Sequence, residues 1–228
     1  MPNEPLSLPA RLCLLAWDTG RPAAGGTAPR TDLVRAGALV ELARRGLLTD
    51  VDGIATPVDL DASAGDPVLD GLLDLVRESC PHPWRTWVTL RARVTSDAVR
   101  EQLVAEGYVR AEKRRVLGVF PSVEYALERT VVVETLREET RQVLQEPREG
   151  TGQVSRGPLP AAGISGRDAA VAVLAAAARL FGESPSEQRT RELAERAGEA
   201  RPGLVGIVRE VSAAVAERTA KSAVTASH

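Results

Sequence analysis

Histidine is nearly missing from this 228-residue chain, which has only His82, held between two prolines, and His228 at the last position. A histidine-ligated metal centre therefore lacks ligands. A Ser-His-Asp or Cys-His system would have to use His82, with Cys80 two residues away. Catalytic partners normally converge from separate elements rather than from sequence neighbours. No nucleophile–base–orienter set can be assembled, so the expectation is no enzyme, no metal and no cofactor. Aromatic residues make up 3% of the chain. The core must then be aliphatic, with Trp17, Trp84 and Trp87 as anchors in it rather than stacking platforms. Lysine is scarce too, with only Lys113 and Lys221, and the net charge of −2 excludes a wholly basic nucleic-acid binder. Cys13 and Cys80 have no metal-ligand spacing and read as small buried thiols in a reducing compartment. The longest apolar run, "AAVAVLAAAA", is about half of the ~20 residues that a membrane span needs. The "MPNEPLSLPARLCLLAW" start does not have the pattern of a signal peptide. A cytoplasmic protein is expected, with peripheral attachment to the inner face of the membrane left open.

What is present is ordinary for a soluble globular domain: 43% hydrophobic and 26% charged residues. The length suits one domain with a real core. Residues 7–16 read as a short apolar helix or strand. "TDLVRAGALVELARRGLL" reads as an amphipathic helix opening at Thr31 or Asp32 and closing near Gly46. "LLTDVDGIATPVDL" has the alternation and Asp-Gly of a hairpin. Asp66 and Pro67 open the next helix. "RTWVTLRARV" is ambiguous between helix and strand, and Thr95 or Ser96 opens a helix that Gly107 ends. "YVRAEKRRVLGVFP" reads as two short strands joined by a tight basic turn, and "VVVETLREETRQVLQ" as a helix. Residues 146–166 form a Gly/Pro/Ser-rich surface loop. "SGRDAAVAVLAAAARLFG" is apolar all round and should be the central buried helix. In "SPSE" Ser184 caps, Pro185 begins and Glu187 completes a capping box. A last helix spans about 203–219. A helix–Gly–hairpin pattern occurs twice, at 33–58 and 97–120. The fold class is mainly α: a compact single-domain helical bundle with short β-hairpins, one of them protruding. Residues 1–6 are a flexible start, 7–219 the domain and 220–228 a disordered tail.

Two arginines stand out. Arg35 falls on the flank of a stripe made by Leu33, Ala36, Leu39, Val40 and Ala43, in the first turn, where the helix dipole disfavours a cation. Arg167 holds the equivalent place before the alanine-rich helix, with Ser165 and Asp168 as a capping pair. Two such arginines make sense around an anion, which free N–H groups, the dipole and guanidinium forks all attract. The plainer alternative pairs each with an acid such as Asp32 or Asp168. Asp59 and Asp61 in "DLDASAGDPVLD" resemble the start of a calcium loop, but Gly65 comes one place late and position twelve is Asp70 rather than glutamate. That stretch reads as a polar loop feeding the Asp66 cap.

Taken in order, "LCLLAWDTGR", "RAGALVELARRGLL", "VREQLVAEGYVRAEKRRVLGVFP" and the alanine-rich helix resemble the Golgi phosphoprotein 3 family in its shorter bacterial branch. The resemblance runs from about Leu12 to Val215. It implies a compact helical domain with a protruding hairpin, no catalysis, and binding of phosphatidylinositol 4-phosphate by a tryptophan and three arginines. Arg35 matches the first of these arginines and Arg167 one of the other two. The remaining arginine position falls on Ile164, and the tryptophan position near Gly26.

The leading expectation is a non-enzymatic domain that binds a phosphorylated, phosphoinositide-like headgroup at a membrane surface through Arg35 and Arg167, acting as an adaptor for a client protein. The hairpin residues Lys113, Arg114, Arg115 and Leu117 would contact lipid or a second copy of the chain. Two other readings stand beside it. A winged-helix nucleic-acid regulator would use the hairpin as its wing, but Arg100, Glu101, Gln102 and Glu106 make an acidic recognition helix. A protein-interaction module would have both arginines paired internally.

Overall fold

The computed structural model describes residues 6–17, 27–116, 120–145, 163–182 and 185–225, the side chains of 27–30 and 113–122 excepted. The described residues are mainly α, with nine helices and two antiparallel two-stranded sheets. α1 (Leu8–Leu15) packs on α2 (Thr27–Arg45), and Gly37 allows the close approach. A Cβ there would lie 2.6 Å from Leu12 Cδ1 and 3.2 Å from the Pro9 backbone. β1 (Leu48–Val51) and β2 (Ile54–Pro57) form the first hairpin. Its Asp52-Gly53 turn has φ of 52° and 82°, the positive pair that a two-residue hairpin turn favours. α3 (Pro67–Glu78) starts where the Asp66 side chain accepts from the amides of Val68 and Leu69, as the sequence implies.

α4 (Trp84–Thr89) settles the ambiguous segment as helix, and buries both Trp84 and Trp87 completely. Trp84 Nε1 donates to Asp50 Oδ1 at 2.8 Å, tying α4 to the first hairpin. α5 (Ala92–Ala105) leads through Gly107 into β3 (Val109–Val116), which pairs with β4 (Phe120–Leu127). α6 (Thr130–Leu144), α7 (Gly166–Ala177), α8 (Glu187–Gly198) and α9 (Leu204–Thr225) complete the chain. The alanine-rich α7 is buried from Ala169 to Ala175, as its all-apolar surface implies. It shares the centre with α2, which touches α1, α3, α4, α5, α7 and α9. Alanine on α7 lets neighbouring backbones approach, while leucines such as Leu33, Leu39 and Leu42 fill the gaps. Each fully buried leucine contributes roughly 2 kcal/mol.

Several sequence expectations need correction. α2 begins at Thr27, so Arg35 lies in its third turn and no longer opposes that helix's own dipole. α5 begins at Ala92 rather than at Thr95 or Ser96, because Arg91 turns left-handed (φ 52°) and starts the helix early. "EKRR" is not a hairpin tip: Lys113, Arg114 and Arg115 are strand residues, in register with Val123, Ser122 and Pro121. Leu117 lies outside the described residues, as do Gly26, residues 146–162 and Ser184. The cap of α8 is Ser186, whose side chain accepts from Arg189 N, and Pro185 precedes it. α9 continues to Thr225, past the expected end near 219. Cys13 is buried but Cys80 is exposed, so the buried-thiol reading holds for one of them. Trp17 is only half-buried.

Candidate functional site

The chain turn between α4 and α5 is aimed at α2. Arg91 has the left-handed conformation that costs a non-glycine residue about 1 kcal/mol or more. Its carbonyl accepts the Val94 amide at 3.0 Å and Arg35 Nη2 at 2.6 Å. Arg35 itself is fully buried, with 0% exposure. Its Nε and Nη1 have no hydrogen-bond partner. Burial pushes the guanidinium down to about 10, which leaves it charged at neutral pH. Holding that charge in the interior carries a desolvation cost that no nearby acid offsets.

The cation is also placed where a helix end adds to its positive potential. α5 has fourteen residues and no side-chain cap, and Arg35 reaches the carbonyl of its N-cap residue, so the positive end of its dipole lies next to the guanidinium. Arg91 and Arg93 flank that end, both exposed, and neither has an ion-pair partner among the described residues. Thr95 and Ser96 follow, both buried. One buried cation, two free surface cations and an uncapped helix N-terminus form an arrangement that attracts an anion.

Arg167 is placed differently. Its Nη2 donates to Glu41 Oε1 at 2.8 Å, and Arg45 Nε donates to the same oxygen at 3.0 Å. Glu41 is buried, and Arg44 Nε stands 3.9 Å from its other oxygen. Burial lowers the Arg44 guanidinium, with Glu41 opposing and Arg167 and Arg45 adding to the shift. Arg35 on α2 and Arg167 on α7 thus share no partner: one serves the α4–α5 turn, the other a buried carboxylate of α2. The acids offered as partners from sequence are engaged elsewhere, Asp32 by Arg218 at 2.9 Å and Asp168 by Arg11 at 2.6 Å. Ile164 is buried, and its carbonyl accepts from Arg196 Nε.

A cavity of about 260 Å³ opens beside Asp168, lined by Arg11, Glu139, Thr140, Gln142, Val143 and Val171. Two carboxylates against one arginine make it a poor place for an anion. Arg91 and Arg93 were missed from sequence because "LRARV" fell in the segment left ambiguous between helix and strand. The signal was the two arginines themselves, but it is the left-handed turn at Arg91 that sets its carbonyl against Arg35.

Comparison with protein families matches residues 8–222 to Golgi phosphoprotein 3 (GPP34). The chain belongs to that family. None of the curated proteins compared with it matches. The Golgi phosphoprotein 3 match runs from the start of α1 almost to the end of α9, so it takes in Arg35, the α5 N-terminus and Arg167 together. No described helix is long and apolar enough to cross a membrane.

Proposed function

We propose that this Golgi phosphoprotein 3 domain binds a phosphorylated lipid headgroup at a membrane surface, without catalysis. The observation that carries the reading is Arg35: a buried, charged guanidinium with two nitrogens unpartnered, next to an uncapped helix N-terminus. A phosphate there would accept from Arg35, from Arg91 and Arg93, and from first-turn amides, offsetting the cost of the buried charge. Guanidinium forks suit phosphate better than a single carboxylate oxygen. The exposed position of Arg91 and Arg93 directs the site outward, towards a headgroup on a surface. Attachment would be peripheral. The β3–β4 hairpin, with Lys113, Arg114 and Arg115 in one strand, would add a second contact to lipid or to another copy of the chain. A client protein would be held at the membrane by the same attachment.

Vesicle co-sedimentation tests the proposal, with neutral, cardiolipin and phosphatidylinositol 4-phosphate vesicles in parallel. Wild type should bind an anionic lipid and not the neutral one, and the affinity should fall with salt. Arg35→Met should lose at least tenfold, and Arg91→Ala with Arg93→Ala a similar amount. Arg167→Met should bind like wild type, because Arg167 is taken up by Glu41. Equal binding by wild type and Arg35→Met would overturn the assignment. Loss in Arg167→Met alone would move the site to Arg167 at the start of α7.

A further inference from the structure

The headgroup reading makes no use of the cavity beside Asp168. That cavity opens between α1, α6 and α7 and shares no residue with the Arg35 site. From α6 it takes Glu139, Thr140, Gln142 and Val143, which helical spacing puts on one side of that helix. Its free polar groups are mostly acceptors. Thr140 is buried, and its hydroxyl donates to the Leu136 carbonyl at 2.7 Å, so only its lone pairs remain. Gln142 Nε2 donates to Glu138 Oε1 at 3.1 Å, and no group among the described residues donates to Gln142 Oε1. Arg11 Nη1 donates to Asp168 Oδ1 at 2.6 Å, so these two charges offset each other. Glu139 is exposed and has neither an ion pair nor a hydrogen bond among the described residues. Val143 and Val171, both buried, supply the apolar part of the lining.

The lining therefore combines one uncompensated negative charge, free acceptors and an apolar wall. An alkylammonium ion complements it, because the head has three donors and no acceptor and the chain needs only apolar contact. A carboxylate or phosphate would meet the Glu139 charge instead. The volume of about 260 Å³ sets the size. At ~30 Å³ for each water-sized group, it has room for roughly nine heavy atoms. We propose that this cavity binds a small aliphatic amine in its protonated form, with the ammonium at Glu139 and the chain against Val143 and Val171. The site is separate from the anion site at Arg35, so either can fail without the other.

Amide chemical shifts of the isotope-labelled full chain, titrated with pentylammonium, test the site. Saturable shifts should appear at residues 139–143 and 168–171. Pentanol lacks the charge, pentanoate reverses it and methylammonium lacks the chain, so each should bind about fivefold more weakly or worse. Glu139→Gln should weaken pentylammonium by about fivefold or more. Glu134→Gln, on the same helix but outside the cavity, should bind like wild type. Both glutamates are exposed, so neither change threatens the fold. The absence of saturable shifts with pentylammonium would overturn the proposal. Equal loss in both variants would do so too, since general surface charge would then be the cause. Equal affinity for pentanol would reduce the site to an apolar void and overturn it as well. Tighter binding of Nα-acetyllysine methylamide than of pentylammonium would overturn the free amine in favour of a peptide side chain.

Discussion

Among the described residues two arginines are almost completely buried, and the protein treats them in opposite ways. Arg189, on α8, is 1% exposed and uses all its nitrogens. Nε and Nη2 both donate to the Val143 carbonyl, at 3.2 and 2.8 Å, and Nη1 reaches Glu192 at 3.4 Å. It fastens α8 to the last turn of α6, where helix carbonyls lack intrahelical donors. Arg35, on α2, is no less buried, yet it makes one hydrogen bond and leaves two nitrogens without a partner. Burial alone therefore does not tell a structural arginine from one kept for a ligand. What separates them is the accounting of donors. A buried guanidinium that spends its donors inside the protein stabilises the fold, and one that keeps them marks a place where something else binds.

Replacement by methionine, which keeps much of the length and removes the charge, should expose this contrast. Arg189→Met should lower the unfolding free energy by about 3 kcal/mol, because it strands the Val143 carbonyl and unties α6 from α8. Arg35→Met should change stability by no more than about 1 kcal/mol, in either direction. It removes one of the two donors to the Arg91 carbonyl, which keeps the Val94 amide, and it removes a buried charge that no acid compensates. Urea unfolding followed by circular dichroism measures both. A large loss in Arg35→Met would make it a structural residue like Arg189 and erase the distinction. Under the headgroup reading, the soluble headgroup should also raise the wild-type unfolding temperature and leave that of Arg35→Met unchanged.

The sequence revealed Arg35 more readily than it revealed its surroundings. The apolar stripe around it and the two helix–Gly–hairpin units could be read directly, because periodicity and positive-φ glycines act locally. Gly46 and Gly107, with φ of 74° and 72°, end their helices before each hairpin. The reason first suggested for Arg35's oddness, its own helix dipole, was the wrong one, since α2 starts a full turn earlier than its cap signals indicate. The dipole that matters belongs to α5, whose start depends on a left-handed arginine that no propensity favours. Arg167 was equally visible but could not be sorted from sequence. Its partner, Glu41, is 126 positions away and by periodicity falls with Arg44 and Arg45 on the polar side of α2, yet it is buried. Non-local pairing of this kind has no periodic signature.

The same contrast between satisfied and unsatisfied charge applies, more weakly, to two buried or half-buried carboxylates. Burial raises the pKa of Asp32, and the Arg218 hydrogen bond and charge only partly oppose this. For Asp168 burial also works upwards, but hydrogen bonds from Ser165 and Arg11, with the charges of Arg11 and Arg167, bring it below 3.8. The two should therefore give stability profiles of opposite slope. Asp168's contribution is present above 3.8 and lost as pH falls through its lower folded value, so Arg11→Met should matter at pH 6 and cease to matter in acid. Asp32 binds its proton more tightly when folded. Its contribution is complete below 3.8 and declines as pH rises through the higher folded value. Removing its cation enlarges that decline, so Arg218→Met should become more destabilising from pH 4 to pH 7. Asp168 is 39% exposed, and screening should hold the Arg11→Met effect to about 1 kcal/mol or less. Urea midpoints of both variants at pH 3, 5 and 7 would show the two trends. If both variants approached wild type in acid to the same extent and over the same range, Asp32 would be as well compensated as Asp168. A single surface cation would then suffice for a buried carboxylate, and the unpartnered nitrogens of Arg35 would be weaker evidence for a ligand.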